Sequence, residues 1–309
     1  MYNDAQKKRF ISEYATSSYM ATKVVRLFNR VAPLEIHLGK DLCFMDVSEA
    51  QPFIDELPGV TMYNASTNIS IVRSYVLWCE KNGIISAESS LLQLKMDQSA
   101  AMRKSMYDSP ASLNAAFDRV FHPVDEKTVH NVYRAFLWLG YIGLQLPQTD
   151  LIEKSSVDFN RSIVTFEAVE RDIYMEAIQA FKSCVYDTEF CIISTKRRYF
   201  AQRPQSKLLL SRLSPTVDYH EFSKLISALP NTKRYTLRYD NIRYSGIFYR
   251  AYQLEQQGIP VDFKAIVTEE VKQRVQYGDT ERQIYTRIMA ENKRYVHDYN
   301  AWKMAFDLK

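Results

Sequence analysis

Apolar positions recur at three- and four-residue steps through most of this chain. Phe10, Tyr14, Tyr19, Val24 and Leu27 mark a helical stretch from Lys7 to Leu27, which Pro33 is expected to interrupt. Leu42–Val47 leads into Ser48, a good N-cap residue, so a helix is expected from there toward Leu57, where Pro58-Gly59 breaks it. Ile69, Val72, Val76 and Trp78 give one apolar side to a helix over Ala65–Lys81, with Asn82-Gly83 as its C-cap. Helices of this kind suit a small bundle. Residues 86–125 are weakly patterned, with Ser89-Ser90, Asp108-Ser109-Pro110 and His122-Pro123, and read as a connection between domains.

The second half keeps the helical period but changes it once. Glu126–Leu144 is a largely apolar, buried helix. Val157–Glu167 then alternates as two short strands about an Asn160-Arg161 turn. Asp172–Ser183 is expected as helix and Phe190–Ile193 as a short strand. Val217–Leu229, Tyr239–Gln256, Phe263–Tyr277 and Thr280–Phe306 are expected as helices, with Gly258-Ile259-Pro260 closing the second of these. The expected fold is mainly α: a helical domain at 1–100, a linker at 101–125, and a mostly α domain with a small antiparallel sheet at 126–309.

Composition narrows the function classes. The chain of 309 residues is 46% hydrophobic and 25% charged, with few Gly or Pro, as globular proteins are. Four cysteines, Cys43, Cys79, Cys184 and Cys191, have no metal-ligand spacing and read as reduced thiols. No apolar run is long enough for a membrane span, and the first residues lack a signal-peptide core. A cytoplasmic protein without membrane, metal or nucleotide cofactor is expected. The net charge is only +4, but residues 196–250 hold 12 Lys/Arg against 3 Asp/Glu. That local excess suits a polyanion.

Three segments carry a sharper signal. The first is Tyr141-Ile-Gly143-Leu-Gln145-Leu-Pro-Gln-Thr-Asp-Leu151, after the apolar helix. The second is Leu237-Arg-Tyr-Asp240-Asn-Ile-Arg243, which opens a helix ending near Gly258. The third is Tyr277-Gly-Asp-Thr-Glu-Arg-Gln-Ile-Tyr285-Thr-Arg-Ile288. Together with the domain layout, they resemble the tyrosine recombinase (phage integrase) family.

The resemblance implies an N-terminal core-binding (SAM-like) domain and an integrase-type catalytic domain, clamping duplex DNA between them. It places Tyr285 on the nucleophile and Arg243 on the second catalytic arginine. It also places Gln145 where the family has its first arginine, and Asp240 and Tyr277 (or Gln276) where it has histidines. The family's hairpin lysine falls near Phe166–Arg171, where no lysine stands. The consequence is electrostatic. Tyrosine attack on a phosphodiester gathers charge on the non-bridging oxygens, which two guanidiniums offset with forked hydrogen bonds. Losing one from a dry site costs on the order of several kcal/mol. A DNA-binding protein for recombination, integration or its regulation, with impaired or lost strand cleavage, is therefore expected.

Other readings of the same residues stay open. Tyr285, or its rivals Tyr277, Tyr295 and Tyr299, could simply pack. Arg243 serves equally as a phosphate anchor or a structural ion pair, Gln145 as a loop residue, and Asp240 as an N-cap. Arg134 or Arg171 could supply a replacement charge. Lys196, Arg197, Arg198, Arg203 and Lys207 interleave with Tyr199 and Phe200 as phosphate contacts or as a solvated loop, and Lys233, Arg234 and Arg238 extend that positive field. Lys23, Arg26 and Arg30 share one helix face in the first domain, and Lys7-Lys8-Arg9 is positioned to add to it. Val296, Tyr299, Trp302 and Phe306 suit either packing on their own domain or a homo-oligomer through the C-terminal helix. The competing function class is a helical interaction protein that regulates a recombinase or host protein without DNA chemistry.

Overall fold

The computed structural model describes residues 1–56, 62–86, 89–95, 97–121, 129–193, 198–202, 206–209, 237–275 and 278–309. The chain forms two compact units, Met1–Met102 and Arg103–Lys309.

The first unit is all helix among the described residues: α1 (Asp4–Tyr14), α2 (Ser18–Leu38), α3 (Val47–Glu56) and α4 (Met62–Lys81), followed by the start of α5 (Gln98–Ser105), which runs across the unit boundary. The single stretch expected from Lys7 is two helices. Ser17 separates them, because its side chain accepts from the Met20 amide and starts a new helix. Pro33 does not stop α2 either. It lies exposed, so the carbonyl it leaves without a helical donor can face water. The cap of α3 is Asp46 rather than Ser48: its Oδ1 accepts from the Glu49 amide at 3.0 Å, and Glu49 Oε2 accepts from the Asp46 amide at 2.9 Å. α4 ends at Gly83 with φ of 68°, where the Ile84 amide reaches back to the Cys79 carbonyl.

Phe10, Val24, Phe28, Val31, Val72, Tyr75 and Val76 form this unit's core. A polar cluster runs through it. Lys7 is fully buried, paired with Glu35 and 3.6 Å from Asp41. Tyr75 donates to Asp41, and the Leu42 amide to Glu35. Lys7 is thus a core cation and belongs to no surface face. Lys8 pairs with Asp4, and Arg9 with Glu13.

The second unit begins with α6 (Pro110–Val120), capped by Ser109 with Pro110 at the first helical position. The segment 101–125, expected as a linker, therefore holds a helix whose Leu113, Ala116 and Phe117 lie in the core. α7 (Val129–Tyr141) follows. Next comes an antiparallel sheet in the order β1 (Val157–Asp158), β2 (Ile163–Phe166), β3 (Val169–Asp172). The alternation of apolar positions marks only two of these strands. The third, Val-Glu-Arg-Asp, is largely exposed and shows no apolar face to read. It also takes the start of the helix expected from Asp172, which begins instead at α8 (Ile178–Tyr186). β4 (Glu189–Ile193) pairs antiparallel with β5 (Arg198–Gln202), a strand inside the basic stretch expected to give phosphate contacts or a solvated loop.

α9 (Tyr239–Gln256), α10 (Lys264–Lys272) and α11 (Glu281–Ala305) complete the unit. The helix expected at 217–229 lies outside the described residues. α9 crosses the end of α7 at a point only glycine permits. A methyl group on Gly246 would lie 1.7 Å from the Tyr141 carbonyl oxygen. α11 packs on its own unit: Tyr295, Tyr299 and Trp302 are buried against Phe248 and Phe263, and Trp302 Nε1 donates to the Tyr107 carbonyl. Among the described residues, no helix is long and apolar enough to cross a membrane.

Candidate functional site

The end of α7 organises the polar chemistry of the second unit. The Gly143 amide bonds the Gly140 carbonyl, the Leu144 amide bonds Leu139, and Gly143 takes a φ of 103° that suits glycine. The chain turns outward into a short 3-10 turn, Leu146–Leu151, and the Gln145 amide donates to Gln148 Oε1 at 2.7 Å.

Three guanidiniums surround this turn. Arg243, from α9, donates through Nε to the Gly143 carbonyl at 3.0 Å. Arg250, two turns on, donates to the Tyr141 carbonyl at 2.8 Å, and its Nη2 would lie 2.7 Å from a methyl placed on Gly143. Arg171 comes from β3 and brings its Nε within 4.0 Å of the same point. Its inward course follows from register. Arg171 pairs across the ladder with Val164, a core residue, and cross-strand partners share a face.

The three cations have different counterions. Arg243, 8% exposed, donates through Nη1 to Glu270 Oε1 at 2.5 Å, and Tyr295 donates to the same oxygen at 2.6 Å. Burial opposes the Arg243 charge, but the Glu270 carboxylate, Tyr295 and Tyr244 together outweigh it and raise the pKa. The Tyr295 hydroxyl is pushed up by burial, by Tyr244 and by Glu270. Arg250 is pushed down by burial. Arg171 is pushed down by burial and by Arg250, with Glu269 opposing. Arg171 Nη1 is buried with no hydrogen-bond partner among the described residues, and so is Gln145 Nε2.

The structure separates the expected catalytic pair by environment. Arg243 is buried and ion-paired, whereas Tyr285 lies on the first turns of α11 and is 59% exposed. The rivals Tyr295 and Tyr299 are core residues, hydrogen-bonded to Glu270 and Glu255. Asp240 does not cap α9, whose flanking residue is Arg238; it falls in the first turn and is exposed. Protein around its carboxyl raises its pKa, opposed by Arg243 and Arg238. Arg134 is committed elsewhere, to Asp118 and the Phe121 carbonyl. Among the described residues, no His/Cys/Asp/Glu group could hold a metal ion.

The expected DNA contacts divide in the same way. On α2, Arg26 and Arg30 are exposed and Lys23 is half-buried, its ammonium 4.8 Å from the Tyr19 ring centre. Arg198 lies on β5 opposite Ile193, Lys207 pairs with Glu153 in an isolated backbone bridge, and Arg238 is half-buried before α9. Lys196, Arg197, Arg203, Lys233, Arg234 and Tyr277 lie outside the described residues. Glu270 and Arg250 were missed from sequence. Glu270 is 27 residues from its partner, and Arg250 is only one of the many cations in the stretch 196–250.

Comparison with known proteins bears on these observations unevenly. Residues 1–81 match the family model described as the MrpR N-terminal core-binding domain. No curated protein sequence matches the chain. Among solved structures, the Tn1549 transposon integrase bound to circular-intermediate DNA is 14% identical, covering 83% of this chain and 87% of that one, with a TM-score of 0.32. The integrase from mycobacterium phage Brujita is 12% identical, covering 97% and 91%, with a TM-score of 0.32.

Proposed function

We infer that this chain is a tyrosine recombinase-like protein that binds duplex DNA with both units, as a clamp, and regulates or accompanies recombination without cutting DNA efficiently. The carrying observation is the ion pair between Arg243 and Glu270, in a chain whose first 81 residues match a core-binding domain. A catalytic arginine must present its fork to a phosphate. Here Nη1 is taken by a buried carboxylate and Nε by the Gly143 carbonyl.

The remaining substitutions favour the same reading. Gln145 offers neutral hydrogen bonds in place of a charge. Asp240 sets a carboxylate where a phosphate would approach. Arg243 serves as a structural ion pair, and phosphate contact falls to Lys23, Arg26 and Arg30 on α2 and to Lys196, Arg197, Arg198, Arg203, Lys207, Lys233, Arg234 and Arg238. The test is DNA binding as a function of salt. A protein that neutralises several phosphates loses affinity steeply as salt rises, whereas an interaction protein without DNA chemistry shows no such binding. Self-association is tested alongside by sedimentation with and without DNA.

A further inference from the structure

Two of the four cysteines meet inside the first unit. Cys43 lies on a short 3-10 turn, Leu42–Phe44, and Cys79 on α4, and both are buried and unbridged. The backbone of the turn lies against α4. One donor serves both sulfurs: Gln6 Nε2 is 3.9 Å from Cys43 Sγ and 3.6 Å from Cys79 Sγ. The two thiols also hydrogen-bond each other. That contact raises the pKa of Cys43, with burial and Asp41 adding to it. It lowers the pKa of Cys79, with burial and Asp41 opposing and Tyr75 and Gln6 assisting. Cys79 is therefore the sulfur that ionises first and attacks, and Cys43 the one placed to resolve.

We propose that Cys43 and Cys79 form a redox-active dithiol, which hydrogen peroxide converts to a disulfide that ties the Leu42–Phe44 turn to α4. The Cys79 thiolate attacks one peroxide oxygen, the O–O bond breaks, and hydroxide leaves and takes up a proton as water. The Cys43 sulfur then attacks the Cys79 sulfenic acid. The S–S bond forms, the S–O bond breaks, and the oxygen departs with the Cys43 proton as a second water. The two sulfurs lose two electrons and the peroxide gains them. Access does not require the unit to unfold. Phe44, next to Cys43, is exposed, and the turn is only three residues long, so its local opening admits a small oxidant. The inference is independent of the DNA-binding reading.

In the test, the full chain is exposed to hydrogen peroxide, quenched, alkylated under denaturing conditions without reductant, and digested for mass spectrometry. A peptide bridged between Cys43 and Cys79 is expected, and dithiothreitol should abolish it. Cys184, in the core of the second unit, should stay alkylated as an internal control. The bridge closes a long loop from the turn to α4, so Tm of the first unit should rise by about 10 °C on oxidation and return on reduction. Cys79→Ala should show neither the bridge nor the shift. The peptide map is read on the wild type, so the outcome does not depend on a variant with a buried substitution folding. Cys43 and Cys79 both still alkylated, at a peroxide dose that oxidises free glutathione completely, would overturn the proposal. So would Cys79 carried to sulfinic acid, or bridged to Cys191, with Cys43 unmodified.

Discussion

Glu270 on α10 neutralises Arg243 on α9 through a 2.5 Å hydrogen bond, with both side chains buried. The pair joins two helices and receives a third through Tyr295 on α11. Burying two charges is costly in itself, so removing one partner leaves the other without compensation.

Arg243→Ala should therefore destabilise the second unit by about 3–5 kcal/mol, measured by urea unfolding. Replacing both partners, as Arg243→Met with Glu270→Leu, should recover most of the loss. Equal instability of the single and double variants would contradict a structural ion pair.

Gly246 sets the approach of α9 to α7. Gly246→Ala forces a methyl against the Tyr141 carbonyl backbone, which cannot give way as a flexible side chain could. The expected cost is on the order of 3 kcal/mol, as for strong overpacking. Gly258→Ala meets no atom within 4 Å and strains only a φ of 74°, so it should cost about 1 kcal/mol. Thermal unfolding of the two variants side by side checks the order.

On α2, the double variant Arg26→Ala/Arg30→Ala should leave stability within about 0.5 kcal/mol, because both side chains are exposed. It should still flatten the salt dependence of DNA binding by about 0.9 for each phosphate that the variant no longer neutralises. An unchanged slope would remove this face from the interface.

Glu255 accepts from Lys303 and Tyr299, and these hold its carboxyl below the usual glutamate range. A depressed folded pKa gives stability that is present above about pH 4.5 and lost as pH falls through the folded value. Glu255→Gln should flatten the acid limb of stability against pH in that window and leave the neutral-to-alkaline limb in shape. Midpoint denaturant concentrations across pH would read it.

Much of this architecture is legible in the chain. The face of Ile69, Val72 and Val76 with Gly83 marks α4, and the Thr280–Gln283 capping box marks the start of α11. These are local signals, carried within one or two helical turns. Other features depend on distant partners or neutral-looking strands. Ser17 restarts a helix inside one continuous apolar period, and β3 gives no alternation because three of its four residues are exposed. The candidate site is the least legible. Arg171 faces inward only because of its register with Val164, and Arg243 meets a glutamate from another helix. The hairpin at 166–171 does carry one signal: it holds an arginine where the resemblance calls for a basic residue.

The most direct measurement of the central claim is affinity capture of sheared bacterial and phage DNA by the full chain, with the bound complexes also run on a denaturing gel. The account predicts salt-sensitive enrichment of duplex sites and no denaturant-resistant adduct, with Tyr285→Phe identical to the wild type. A covalent protein–DNA adduct that disappears in Tyr285→Phe would contradict it.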